Sequence, residues 1–408
     1  MRLVGSIGVA LLIVLATVDL QWFEKPPNVQ PVPTVRADSE LTVEVANESF
    51  DLPPKIHIAG YPGWKNREAS GGIQGSVGAR TLRFNSAGKR VVAIVLLDLL
   101  LIAPGLEREI QERAGNRNVL VVATHTHSGP GGYFQALPFE VGALGRFNPT
   151  VRSAIVSASE RTLVAPSQDS SPCVLEATQV PTATFNTGRT PGRDPDQTVT
   201  VLNLSEDFDG FDALILAAHP TTAGREPRLS RDVPDHFDHG FVFQGAGGDA
   251  APGQLLRDGD ALDAWLAPVQ QLRCTPVSLA RVEIALPPLR MRAGPWPLQR
   301  LLTNLLLPWR SRTTVVSVLR LGDVVLGFVP GEPVGAFGEP WRNMLRDLTG
   351  AKIAAVVSLA SDYIGYVETP EMWERGEGEA KRVYYGPQLG TVIADGLATA
   401  ARAVAIAQ

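Results

Sequence analysis

Five stretches of this chain are continuous runs of aliphatic and β-branched residues. They are RVVAIVLLDLLLI (Arg90–Ile102), NVLVVATHT (Asn118–Thr126), ALILAAHP (Ala213–Pro220), VVSVLRLGDVVLGFVPGE (Val315–Glu332) and KIAAVVSLASD (Lys352–Asp362). A strand with one wet face alternates apolar and polar residues, so runs that do not alternate predict strands covered on both faces. Helices are expected over Pro104–Ala114, Val151–Leu163 and the alanine-rich Leu389–Ala407, where helix formers recur at amphipathic spacing. The fold class expected is α/β, one large domain of mixed sheets and helices. No internal repeat of fixed period and no shift in composition marks a second domain.

The first twenty residues differ from the rest. Arg2 precedes the apolar stretch Leu3–Val18, which is short for a membrane span and long for a signal-peptide core. Residues 1–20 are therefore expected to form a hydrophobic helix, either an uncleaved transmembrane anchor or a signal peptide. Residues 21–40, including EKPPNVQPVPTVRAD, read as an extended proline-rich linker, with the folded domain over 41–408. Either reading of the leader places that domain outside the cytoplasm, periplasmic or extracellular. There Cys173 and Cys274, the only cysteines, could pair, although sequence alone does not bring them together. A net charge of −5 and the lack of any lysine or arginine run argue against nucleic acid as a partner.

Chemistry-bearing residues gather where the apolar runs end. His125 and His127 sit in ATHTHSGPGG; if the preceding strand continues through them, they share a face at its C-terminal end. Two imidazoles there suit a metal ligand beside a general acid/base, or simply two histidines bonded to loop carbonyls. His219 in AAHPTT and Glu332 in VPGEPVG end two other runs, and two histidines with a carboxylate are a set used by hydrolytic zinc. Asp98 and Asp249 are acids near similar strand ends, and Asp98 is either a candidate to orient a ligating histidine or a structural turn acid. His236 and His239 lie in the acidic stretch DVPDHFDHGF, which reads as a solvated loop. The segment PWPLQRLLTNLLLPWR (Pro295–Arg310) suits a membrane interface or an ordinary core-covering helix.

Six ordered blocks, THTHSGPGGYF, FNTGRTP, AAHPTT, LRLGDVVLGFVPGEP, DYIGYVETPE and YYGP, resemble the catalytic domain of the neutral/alkaline non-lysosomal ceramidases. The resemblance runs from about Ile58 to the C-terminus. It implies one Zn²⁺ per chain held by His125, His219, Glu332 and a tyrosine of DYIGY, with the spacing to TPE favouring Tyr366 over Tyr363. It also implies His127 as the catalytic proton shuttle and Arg189 as a substrate-contacting catalytic residue. The activity implied is hydrolysis of ceramide or a related N-acyl lipid to fatty acid and amine; the apolar leader and the Pro295–Arg310 segment add a membrane surface as an expected partner.

Three departures bear on that expectation. Ala251 stands in GAGGDAAPG where the family has a serine, and Gly378 in ERGEGEAKR where it has a substrate-lining tyrosine. The chain also stops soon after YYGP, without the family's C-terminal β-sandwich. Two further readings thus accompany the first: a zinc hydrolase of a different amide or ester on the same scaffold, and a catalytically inert lipid-binding envelope protein. Retention of both His127 and Arg189 argues against the inert one.

Overall fold

A computed structural model describes residues 34–61, 68–70, 77–165, 170–181, 185–204, 213–221, 240–253, 270–292 and 294–406. The expected N-terminal hydrophobic helix, His236 and His239 lie outside the described residues. Among those described, no helix is long and apolar enough to cross a membrane.

The mixed α/β architecture expected from the apolar runs is present, organised as three five-stranded sheets. Each sheet contains one topological unit: an antiparallel strand pair followed by a third strand parallel to the second. In the first unit, Gly78–Ser86 and Lys89–Leu97 pair antiparallel, and Val119–Ala123 joins the latter in parallel. Thr198–Asn203, Ala213–Leu216 and Phe241–Gln244 form the second. The third is Thr313–Leu321, Val324–Phe328 and Ile353–Val357. Parallel neighbours require a crossover, supplied in the first and third units by the helices Leu106–Ala114 and Gly338–Thr349. The chain therefore repeats in topology although its sequence shows no fixed period.

The inner faces of all three sheets share one core, including Leu96, Val122, Ile215, Phe243, Leu326 and Val357. Outer faces are covered too. The helices Leu106–Ala114 and Pro149–Val164 pack on the first sheet, and Gly338–Thr349 and Leu389–Val404 on the third unit's sheet. Burial on both faces is why the strands read as unbroken apolar runs. The run Arg90–Ile102 leaves its strand at Leu97, because the Asp98 carboxylate turns back to accept from Gly78 N at 2.9 Å. Val35–Ala37, at the end of the stretch read as linker, pairs antiparallel with Val277–Leu279.

Cys173 and Cys274 are disulfide-bonded across 101 residues, with their Cα atoms 6.2 Å apart. Both pack against the common core, so the bridge pins strands of different sheets together. At another junction, buried Glu107 accepts from Val121 N at 3.1 Å and Ser361 Oγ at 2.8 Å, and pairs with buried Arg281. This carboxylate joins the edge strand of the first unit to the loop that follows the third.

Two predictions follow from these buried charges. Glu107→Ala leaves the Arg281 guanidinium buried without its counter-ion and should lower the unfolding free energy by about 3–5 kcal/mol in urea denaturation. Glu107→Leu combined with Arg281→Met should recover most of that loss. The second prediction concerns Asp323, in the turn between Leu321 and Val324. Burial pushes its carboxyl up, but Arg273 and Lys352 outweigh burial and hold it at about 2. A depressed folded-state pKa stabilises above the ordinary aspartate value, and the contribution disappears as pH falls toward about 2. Asp323→Asn should therefore destabilise at neutral pH, and its urea midpoint should converge on that of the unaltered protein in acid.

Candidate metal centre and active site

The ends of the parallel strand pairs converge on one rim, and each unit sends polar residues there. His125 and His127 follow Val119–Ala123, and His219 follows Ala213–Leu216. Glu332 follows Val324–Phe328, and Tyr363 and Tyr366 lie beyond Ile353–Val357. Asp98 and Asp249 stand at the two remaining strand ends.

The strand leading to the two histidines stops at Ala123, so they do not share a pleated face as the spacing suggested. His125 adopts φ +67°, a left-handed conformation that is unusual for a residue with a Cβ. The turn is held from outside by Ala123 N donating to Leu359 O at 3.1 Å and Thr124 N to Leu97 O at 2.9 Å. It brings the two rings into edge contact, centroids 5.0 Å apart, with the His219 ring 4.7 Å from that of His125.

Each histidine turns its Nδ1 to backbone carbonyls. His125 Nδ1 lies 2.7 Å from Leu100 O, and His127 Nδ1 3.2 Å from Gly60 O. His219 Nδ1 lies 3.0 Å from Gly247 O and 2.9 Å from Ala250 O. A carbonyl only accepts, which assigns the proton to Nδ1 and leaves an Nε2 lone pair facing inward on all three rings. One donor atom from each ring lies within 4.8 Å of the others. Glu332 Oε2 approaches His125 Nε2 and His219 Nε2 at 3.2 Å each, and Tyr366 Oη stands 3.3 Å from His219 Nε2.

Lone pairs and a carboxylate turned toward one another repel unless a cation sits between them. His125 Nε2 and Glu332 Oε2 are buried and without a hydrogen-bond partner, as expected of ligands awaiting a metal. Ligand bonds of roughly 2.0–2.2 Å separate neighbouring tetrahedral donors by about 3.3 Å, close to the distances observed. The imidazole Nδ1–H groups are fixed by carbonyls in the manner usual for ligating histidines. The donor set thus fits a small divalent ion.

The electrostatics also show a deficit of positive charge. Burial pushes His127 well below its ordinary value, helped by His125 and His219, and pushes His219 down to about 4. Burial likewise opposes charge on His125 and Glu332, but a proton placed on His125 Nε2 would turn their repulsion into attraction, which raises the histidine and holds the carboxyl well down. Burial and the Glu332 charge hold the Tyr366 phenol well above its usual range, the opposite of what a bound dication would do.

Around this centre, Tyr363 Oη donates to Glu332 Oε1 at 2.7 Å, fixing the carboxylate so that Oε2 faces the histidines. Asp98 serves as the structural turn acid, accepting from Gly78 N, and carbonyls hold the imidazoles, while Asp249 accepts from Gly335 N at 2.7 Å. Arg189 leaves the strand Asn186–Gly188, with its guanidinium 2.8 Å from Glu379 Oε1, 3.4 Å from Tyr366 Oη and bonded to Gly248 O. Ala251 pairs with Thr187 and brings no hydroxyl. At Gly378, with φ +56°, a Cβ would lie 2.4 Å from Glu368 Oε2, so a side chain there would strain the backbone and require that carboxylate to shift. Glu368 and Glu379 fill this region. Nothing in the mixed-charge ERGEGEAKR stretch singled out Glu379, and Glu368 sits in the DYIGYVETPE block, where only the tyrosines drew notice.

Comparison with known proteins gives a consistent picture. Residues 54–192 match the family model described as neutral/alkaline non-lysosomal ceramidase, N-terminal, a segment containing His125, His127 and Arg189. The neutral ceramidase of Drosophila pseudoobscura pseudoobscura is 34% identical over 118 residues, 27% of this chain and 16% of that protein. Neutral ceramidase A of Dictyostelium discoideum is 31% identical over 85 residues, 20% of this chain and 12% of its own length. The matches therefore span less than a fifth of these relatives. In fold, the crystal structure of neutral ceramidase from Pseudomonas aeruginosa aligns with TM-score 0.72 at 17% identity, over 91% of this chain and 76% of that one.

Gly60 offers a direct test of how His127 is placed. At φ +100° it passes so close that a Cβ would lie 2.8 Å from His127 Cα and Cβ, and its carbonyl holds Nδ1. If His127 is a working side chain, Gly60→Ala should lower turnover by about tenfold or more while metal content, measured by mass spectrometry, stays unchanged.

Proposed function

We propose that this chain, related to the neutral/alkaline non-lysosomal ceramidases through residues 54–192, is a zinc-dependent amidohydrolase. Its substrate on this reading is ceramide or a related N-acyl lipid, cleaved to fatty acid and amine. The observation that carries the reading is the convergence of three buried imidazole lone pairs with Glu332 Oε2. Two of these histidines lie in the segment that matches the ceramidase model.

His125, His219, Glu332 and Tyr366 would hold the zinc, a mixed nitrogen and oxygen set that suits this borderline ion. Bound there, zinc supplies Lewis acidity to the amide carbonyl and to the water that attacks it. Burial and the neighbouring His125 and His219 keep His127 neutral, while its Nδ1–H is committed to Gly60 O and fixes the tautomer. Its Nε2 takes a proton from the attacking water as the C–O bond forms, and returns it to the nitrogen as the C–N bond breaks. Arg189 directs its guanidinium at the carbonyl oxygen or a substrate hydroxyl, with Glu379 holding it in place.

Ala251 and Gly378 favour a second reading, the same chemistry on a different amide or an ester. With no hydroxyl at 251 and acids around Gly378, the substrate side differs from the expected pattern while the ligand set is complete. An exported domain following a leader at residues 1–20 accords with the Cys173–Cys274 bridge, since such bonds persist outside reducing compartments.

The test combines metal content with release of fatty acid from a panel of N-acyl lipids and simple amides. About one zinc per chain with cleavage of ceramide supports the first reading; cleavage confined to other amides or esters supports the second. His219→Ala should lose metal and activity together. His127→Ala should keep the metal and lose about 10²–10⁴-fold in turnover, and full activity in that variant would remove the proton shuttle from the mechanism.

A further inference from the structure

The helix Trp296–Leu306 is built inside out. Leu298, Leu301, Leu302 and Leu305 recur at i, i+3, i+4 and i+7, the spacing of a single helical stripe. In a core-covering helix that stripe faces inward. Here the buried residues are Thr303 and Asn304, on the opposite side, whereas Leu298 is 42% and Leu305 46% exposed. Trp296, at the helix start, is 56% exposed. The reading as an ordinary core-covering helix does not survive this orientation.

Charge adds a second, independent observation. From Glu283 to Asp323 the chain has no intervening acidic residue and carries Arg290, Arg292, Arg300, Arg310, Arg312 and Arg320, in a protein of net charge −5. Only Arg320 among these is fully buried. Arg290 and Arg292 stack on the Trp373 ring and Arg292 lies 3.8 Å from Glu374 Oε2, so the cationic character is that of the segment and not of unpaired side chains. A leucine face turned outward between arginine-bearing flanks matches a bilayer surface whose headgroups are anionic and whose interior is apolar.

Position links this surface to the site. Directly after the helix, Trp309 packs in the cluster that includes Phe139 and Tyr363, and Ser311 Oγ donates to Asp362 Oδ2 at 2.9 Å. Tyr363 in turn donates to Glu332. On its other side, the Phe139 ring lies 5.9 Å from that of Tyr363, and Leu137 and Val141 beside Phe139 are 59% and 51% exposed. Of the six strongly exposed large hydrophobic side chains among the described residues, all but Val164 lie in these two segments.

We propose that the outward leucine face of Trp296–Leu306 docks this protein on an anionic phospholipid surface and so sets the site beside the lipid it draws from. The role rests on the reading of the site as one for a lipid amide, but its test does not depend on hydrolysis.

Because the two native cysteines are bonded to each other, Leu305→Cys gives one reactive thiol for an environment-sensitive fluorophore in the full chain. Arg108→Cys, on the exposed face of Leu106–Ala114, serves as the control site. Vesicles of phosphatidylcholine, with or without phosphatidylglycerol, carry a nitroxide-labelled lipid as quencher. The expected result is several-fold quenching at position 305 on the anionic vesicles, little at 108, and loss of quenching when Leu298→Glu and Leu302→Glu are added. No quenching at 305 on vesicle-bound protein overturns the docking. Equal quenching on uncharged vesicles overturns the anionic preference. A blue shift at 305 that grows with protein concentration in the absence of lipid assigns the face to a second copy of the chain instead. Fatty-acid release from a short-chain N-acyl substrate in detergent-free solution, measured on the same proteins, tests the enzyme reading separately.

Discussion

The site depends on a short seam of backbone hydrogen bonds where the edge of one sheet meets the loop following another. Ala123 N donates to Leu359 O, and Ser361 N to Val121 O at 2.8 Å, while Glu107 reaches across to Ser361 and Arg281. Edge strands carry unpaired donors and acceptors, and here those groups are used to lock two units in register. Because His125 lies two residues past Ala123, and Tyr363 and Tyr366 follow Ser361 within a few residues, the same bonds set where the ligands stand. A left-handed histidine is costly in isolation. It persists because both flanks of the turn are tied down.

From that seam outward, the molecule divides its labour among six strand ends. Asp98 and Asp249 serve the scaffold, accepting from the Gly78 and Gly335 amides. The other four ends bring imidazole, carboxylate and phenol to a common point. Since no adjacent pair of residues in sequence makes the centre, a backbone shift in any one unit would misalign it.

Much of this was legible in the chain. Unbroken apolar runs announced strands covered on both faces, and the histidines and the acid at their ends are side chains that the fold gathers at one rim. What could not be read was geometry made by tertiary contact. The HxH spacing suggested a pleated strand, whereas a turn held by Leu359 and Leu97 brings the rings together. Tyr363 was weighed only as a ligand, and its grip on Glu332 depends on a fold-level approach invisible in DYIGY. The arginine partner Glu379 lies among ordinary surface charges in sequence. The leucine spacing of Trp296–Leu306 predicted a helix, but which side faces the protein is decided by Thr303 and Asn304, against the usual preference.

The spread of the centre along the chain has a consequence for how the protein matures. His125 and Tyr366 belong to different units, and the contacts joining those units, such as Ser361 N to Val121 O, pair residues far apart in sequence, which makes them slow to form. No single unit contains the complete set of donors. A cation captured at this rim would therefore enter late, into a scaffold already assembled, and would act as a clasp closing a finished box. It could not serve as the seed around which the box is built.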